Sequence, residues 1–157
     1  GGVRVFRSAE ELDSHWASLG PDALELTADQ LAAAARGSDR AIKALLMDQA
    51  AIAGIGNIYA DEALFRAGIK PSRRATKISA QDAANLAAAV RAVLTEAVVG
   101  RGSTLRDYRD ADGREGGFQS SHAVYGRGGE ACIRCGGTLR SAQLAQRTTV
   151  WCGSCQR

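Results

Sequence analysis

Cys132-x2-Cys135 and Cys152-x2-Cys155, separated by a sixteen-residue gap, use all four cysteines of the 157-residue chain. Two residues between paired thiols let both sulfurs of a tight turn face one centre. A gap of this length suffices for a β-hairpin that brings the second turn opposite the first. The spacing predicts one tetrahedral metal, and thiolates at about 2.3 Å suit a single structural Zn2+ that closes the fold and leaves no open position for chemistry. Iron in the same cage and a pair of disulfides are the alternatives. Disulfides would suit a secreted chain, but there is no signal-peptide pattern and no apolar run long enough to span a bilayer, so no membrane partner is expected.

A chain of this length, 45% hydrophobic and 24% charged, can bury one ordinary core plus a small metal-stapled satellite. A monomer is expected. The net charge of +3 is unevenly placed: residues 1–100 carry 11 basic and 12 acidic side chains, and residues 101–157 carry 9 basic and 5 acidic ones. Only Lys43, Lys70 and Lys77 are lysines; the rest of the basic charge is arginine, whose planar fork suits bidentate phosphate contacts and base stacking. Codon bias in a high-GC genome would also enrich arginine and alanine. The only methionine is Met47, so Gly1 reads as a processing product or as the edge of a longer chain.

Helix signals dominate to residue 100. Ser8 with Glu11, and Thr27 with Gln30, make capping boxes ahead of short helices that Gly20-Pro21 and Gly37 end. Asp39 is the expected cap of a helix whose apolar positions Ile42, Leu45 and Leu46 share a face. Gly54 and Gly56 then interrupt the pattern. Asn57 opens a helix with Ile58, Ala60, Leu64 and Phe65 on its buried side, closed by Gly68 before Pro71, and Ser79 with Asp82 starts a long helix to about Val99. Two β-rich runs, residues 137–140 and 147–151, bracket the gap between the cysteine pairs. The expected fold is mainly α, a helical domain followed by a four-cysteine β-hairpin.

Two glycines flanking one residue, directly before a helix, can turn successive N–H groups to one side, where the free donors of the helix N-terminus add partial positive charge. Such a spot attracts an anion. Gly54, Gly56, the Asn57 side-chain amide and the Lys43 ammonium are its candidate contacts. A tight helix connection without any ligand is the alternative. Asp61 and Glu62 read as ordinary charges on a helix face, and His15 and His122 as surface residues.

The run IKALLMDQAAIAGIGNIYADEALFRAGIKP, followed by GSTLRDY, VYGRGGEACIRCGG and RTTVWCGSCQ, resembles the C-terminal part of the bacterial formamidopyrimidine-DNA glycosylase and endonuclease VIII family, from about Leu19 to the end. The resemblance implies that residues 39–67 form a helix-two-turn-helix motif and that the four cysteines form a zinc finger whose β-hairpin lies against DNA. By position it makes Asn57 the phosphate-binding asparagine, Lys43 a phosphate-contacting lysine and Arg147 the finger arginine. Residues 104–119 match the lesion-facing loop, with Gly113, Gly116 and Gly117 suited to a mobile lid. Arg106 stands where many members carry lysine. GSTLRDY points to the 8-oxoguanine and formamidopyrimidine branch.

The implied organisation is the end of an upstream domain with a linker helix (residues 1–18), the helix-two-turn-helix domain with the lesion-facing loop (19–120) and the zinc finger (121–157). The family's nucleophile is an N-terminal proline amine assisted by a glutamate and a lysine, none of which has a counterpart here, so no catalytic residue is expected in these 157 residues. The implied function is the damaged-DNA-binding part of a bifunctional glycosylase and AP lyase acting on oxidised purines in the bacterial cytoplasm, at the nucleoid. Its partner is double-stranded DNA containing oxidised bases or abasic sites. A free-standing zinc-dependent DNA-binding module, and a zinc-ribbon interaction module without nucleic acid, are the competing classes.

Overall fold

A computed structural model of the chain describes residues 5–102 and 118–157. The elements run α1 (Ala9–Ala17), α2 (Ala28–Arg36), α3 (Ile42–Leu46), α4 (Asn57–Ala67), a 3-10 turn (Ala75–Lys77), α5 (Ala80–Val99), a second 3-10 turn (Phe118–Ser121), β1 (Leu139–Leu144) and β2 (Arg147–Cys152). The fold is therefore mostly helical, with one antiparallel hairpin in register from Leu139↔Cys152 to Leu144↔Arg147.

Capping chemistry sets most helix ends. Thr27 with Gln30 and Ser79 with Asp82 form reciprocal boxes, and Gly68 closes α4 in the left-handed region at φ 73°. Ser8 caps α1 through the Glu11 N–H, but the Glu11 carboxylate turns to the backbone N–H of Arg7, so the expected box is half formed. Asp39 does not cap α3. That helix starts after Ala41, and its first N–H groups donate to the carbonyls of Arg73 and Pro71, so tertiary backbone contacts replace the side-chain cap. The first strand is also longer than the sequence predicts, because residues 141–143 are exposed and carry no alternating pattern.

The main core joins α2, α3, α4 and α5 through Leu31, Leu46, Leu64, Leu86, Val90 and Val93, all buried. The chain between α3 and α4 is pinned beneath residues 20–23: the Gly20 N–H donates to Gln49 O, and Ala53 N–H to Pro21 O. A Cβ on Gly20 would stand 2.4 Å from the Ala51 carbonyl carbon. This close approach, beyond the helix-stopping role legible in Gly20-Pro21, is what glycine permits there. No helix among the described residues is long and apolar enough to cross a membrane.

A second, smaller core belongs to the hairpin end and takes one helix residue into it: Phe65 of α4 packs with Val124, Cys132, Leu139 and Val150. Arg134 stacks 4.3 Å above the Phe65 ring while its guanidinium donates to the carbonyls of Phe65 and Arg66. At the C-terminus, Arg157 and Gly68 bond through their backbones, and buried Gln156 bridges Cys152 N–H to Ile69 O. The hairpin is thus docked on the helix that carries Asn57.

Candidate nucleic-acid interface and metal centre

The two cysteine turns meet as their spacing requires. Cys132 and Cys135 sit on the turn leading into β1, Cys152 ends β2, and Cys155 follows one turn later. All four Sγ atoms lie within 4.8 Å of one another, with Cys132–Cys155 at 4.0 Å and Cys135–Cys152 at 3.5 Å. A tetrahedron of about 2.3 Å metal–sulfur bonds has edges of about 3.8 Å, so this all-thiolate cluster fits one zinc ion and, with four protein ligands, leaves no position for a substrate. Its role is to hold the fold.

The other site lies where the α3–α4 turn meets the hairpin tip. A surface groove is lined by Arg40, Gln49, Gly56, Asn57, Ala145 and Arg147, among others. Gly56, the residue before α4, has φ −107° and open space where a side chain would stand. Neither strain nor crowding within the chain demands glycine there, and its absence of a side chain leaves the first turn of α4 open to the groove. Those first N–H groups have no partner within a helix, and the helix dipole adds partial positive charge. Asn57 donates from Nδ2 to the Thr148 carbonyl at 3.1 Å, which ties it to the strand that begins with exposed Arg147. Asn57 and Arg147 are thereby brought to one groove.

Gly54 has a different job from the one its sequence suggests. Its φ of 96° favours glycine, and its N–H is already taken, donating to Gln49 Oε1 at 2.9 Å. Gln49 also donates from Nε2 to Ile55 O and Met47 O, so this one side chain holds the whole turn. Nothing in its sequence context marks it, since a glutamine in a polar turn reads as solvated.

Lys43 is likewise corrected. The side chain is 0% exposed, its Nζ lies 2.7 Å from Asp61 Oδ1, and it donates to Thr149 Oγ1 at 2.7 Å and Thr148 O at 3.2 Å. Its ammonium is spent inside the junction between helices and hairpin and is closed to a phosphate. Asp61 and Glu62 are not surface charges either; both are fully buried. Asp61 Oδ2 accepts the Val150 N–H, and the Glu62 carboxylate accepts three successive N–H groups, from Ala123, Val124 and Tyr125, at 2.8–3.0 Å. Burial pushes Asp61 up to about 6 against the opposing pull of Lys43, and burial also lowers Lys43 from its ordinary range. His122 is half-buried between the rings of Phe118 and Tyr125, which lowers its pKa mainly by burial. Arg106 and the glycines at 113, 116 and 117 fall outside the described residues.

The Formamidopyrimidine-DNA glycosylase H2TH domain matches residues 19–108, and the zinc finger found in FPG and IleRS matches residues 129–157. The Formamidopyrimidine-DNA glycosylase of Xanthomonas euvesicatoria is 48% identical over 99% of this chain, which spans 58% of that relative. The Nitratidesulfovibrio vulgaris protein of the same name is 51% identical over 98% of the chain, which spans 42% of it. Among solved structures, MutM (Fpg) from Thermus thermophilus superposes with a TM-score of 0.88 at 44% identity, over 97% of this chain and 59% of that one. The Lactococcus lactis Fpg in complex with abasic-site DNA does so with 0.87 at 30%, over 96% and 56%. The chain spans about half the length of the curated relatives it matches. It belongs to the formamidopyrimidine-DNA glycosylase family, of which it carries the helix-two-turn-helix and zinc-finger part.

Proposed function

We propose that this chain is the DNA-gripping part of a base-excision-repair glycosylase and AP lyase, taking duplex DNA that contains oxidised purines or abasic sites. The observation that carries this reading is the groove shared by the open first turn of α4, Asn57 and the exposed Arg147 at the start of β2. Two elements far apart in sequence present backbone donors, a side-chain amide and a guanidinium to one open groove, and phosphates are the ligands such a set recognises. The relatives' name and the abasic-site DNA in the Lactococcus structure support the same partner. Arg106, by the resemblance, belongs to the loop over the damaged base, and oxidised purines are the preferred lesions. The chain acts as a monomer, in the bacterial cytoplasm. Catalytic residues are supplied by sequence outside these 157 residues.

The test is equilibrium binding of the zinc-loaded chain to a duplex bearing one tetrahydrofuran abasic analogue, measured across a salt series. Arg147→Ala is expected to weaken binding to all sequences alike and to reduce the salt slope by roughly one. Asn57→Ala weakens binding with little change in slope, because it removes an uncharged donor. Unchanged affinity in both variants rejects the assignment.

A further inference from the structure

We propose that Asp61, acting through Lys43, is a positioning residue for Arg147: the buried pair clamps residues 148–150 and so sets where the guanidinium enters the groove. The proposal rests on the phosphate-site reading of Arg147 and adds a residue that the reading does not use.

Asp61 lies four residues after Asn57 on α4, so both project from the same helix face toward the strand. Three consecutive residues of β2 are held from that side. Thr148 O accepts from Asn57 Nδ2 at 3.1 Å and from Lys43 Nζ at 3.2 Å; Thr149 Oγ1 accepts from Lys43 Nζ at 2.7 Å; Val150 N–H donates to Asp61 Oδ2 at 3.1 Å. Lys43 and Asp61, 2.7 Å apart, are both fully buried. The residue immediately before the clamped three is Arg147, exposed and paired across the tip with Leu144. The tip between them is a two-residue turn with Ala145 and Gln146 both in the left-handed region, at φ 49° and 59°, the geometry that continues the twist of the two strands. Any rotation of β2 against α4 therefore moves Arg147 relative to Asn57 and the first turn of α4. A buried ion pair gives little stability that well-packed apolar residues would not give. Its directional bonds to one strand, in a place where the neighbouring side chain must meet a phosphate, account for its presence by geometry.

The experiment compares four zinc-loaded proteins on the tetrahydrofuran duplex: wild type, Arg147→Ala, Lys43→Met with Asp61→Leu, and the triple variant. Zinc stoichiometry and the thermal midpoint serve as controls for folding. The double variant is expected to keep one zinc per chain, to lose affinity on the order of tenfold and to lose roughly one unit of salt slope. The same pair of changes made on top of Arg147→Ala should alter neither quantity, because no guanidinium is left to misplace. Equal losses in both backgrounds, or wild-type binding by the double variant while Arg147→Ala is weakened, overturn the positioning role alone. Wild-type affinity and slope in Arg147→Ala itself overturn the phosphate-site reading, and the positioning role with it. Should the double variant fail to hold zinc, Asp61→Asn decides instead: it keeps the shape of the side chain, removes the charge that holds Lys43, and is expected to weaken binding about threefold only when Arg147 is present, an equal loss in the Arg147→Ala background overturning the positioning role.

Discussion

At the scale of single residues, the informative side chains are buried charges. Asp61 shows how burial and pairing compete. Taking its carboxylate out of water raises its pKa to about 6 from an ordinary 3.8, although Lys43 and the Val150 N–H both favour the charged form. The fold therefore tolerates the protonated acid better than the carboxylate. Because the folded value lies above the unfolded one, the stability contributed by this group is fully present below 3.8 and is lost as pH rises through about 6. Between about pH 5 and pH 7 the zinc-loaded wild type should lose on the order of 1 kcal/mol that Asp61→Asn does not lose, as read by denaturant unfolding. Removing the carboxylate also leaves the burial of Lys43 unopposed, which makes the variant gain stability with rising pH and widens the difference in the same direction. Zinc affinity enters both proteins alike and drops out of the comparison. A flat or inverted difference would mean that Asp61 is solvated in solution. None of this is legible in ADEALF, where two adjacent acids on a helix read as a solvated face; only the docking of the hairpin turns that face inward.

At the scale of elements, local chemistry announced itself more plainly. The Thr27 and Ser79 boxes, the Gly68 cap and the cysteine turns are short-range devices, and each forms where its residues stand. What could not be seen was tertiary: α3 begins on carbonyls from residues 71 and 73, and the Gly54 N–H is taken by Gln49. The interface between hairpin and helices was equally hidden, since Phe65 reads as part of the helical core and instead anchors the smaller one. This changes what metal removal should do. If the hairpin were an appendage, chelation would melt it and spare the helices. Here loss of the zinc also removes the partners of Lys43, Asp61, Glu62 and Phe65 on the helical side, leaving three charges and a phenyl ring to water or to each other. Chelation at neutral pH is therefore expected to abolish the hairpin and also to lower the thermal midpoint of the helical signal in circular dichroism. A helical transition unmoved by chelator would show that the junction contributes little to the helices.

At the scale of the whole molecule, a proposed grip on abasic DNA invites a test of whether these 157 residues also cut it. Schiff-base chemistry at an abasic site needs an unprotonated amine held against C1′. Of the three lysines, Lys43 is the one whose pKa is lowered, which is the property a nucleophilic lysine needs. It is also fully buried and bonded to Asp61 and to β2, so no sugar carbon can reach it. Lys70 and Lys77 are exposed. On the proposed reading the chain is expected to bind DNA and not to cleave it. Borohydride trapping on a duplex carrying a natural abasic site reads this directly, with an intact relative from the same family as the positive control. The zinc-loaded 157-residue chain should give no covalent adduct above background while still shifting the duplex at low salt. An adduct in a yield comparable with the control would place a working amine within these residues, and peptide mapping of the trapped lysine or α-amine would then say which one.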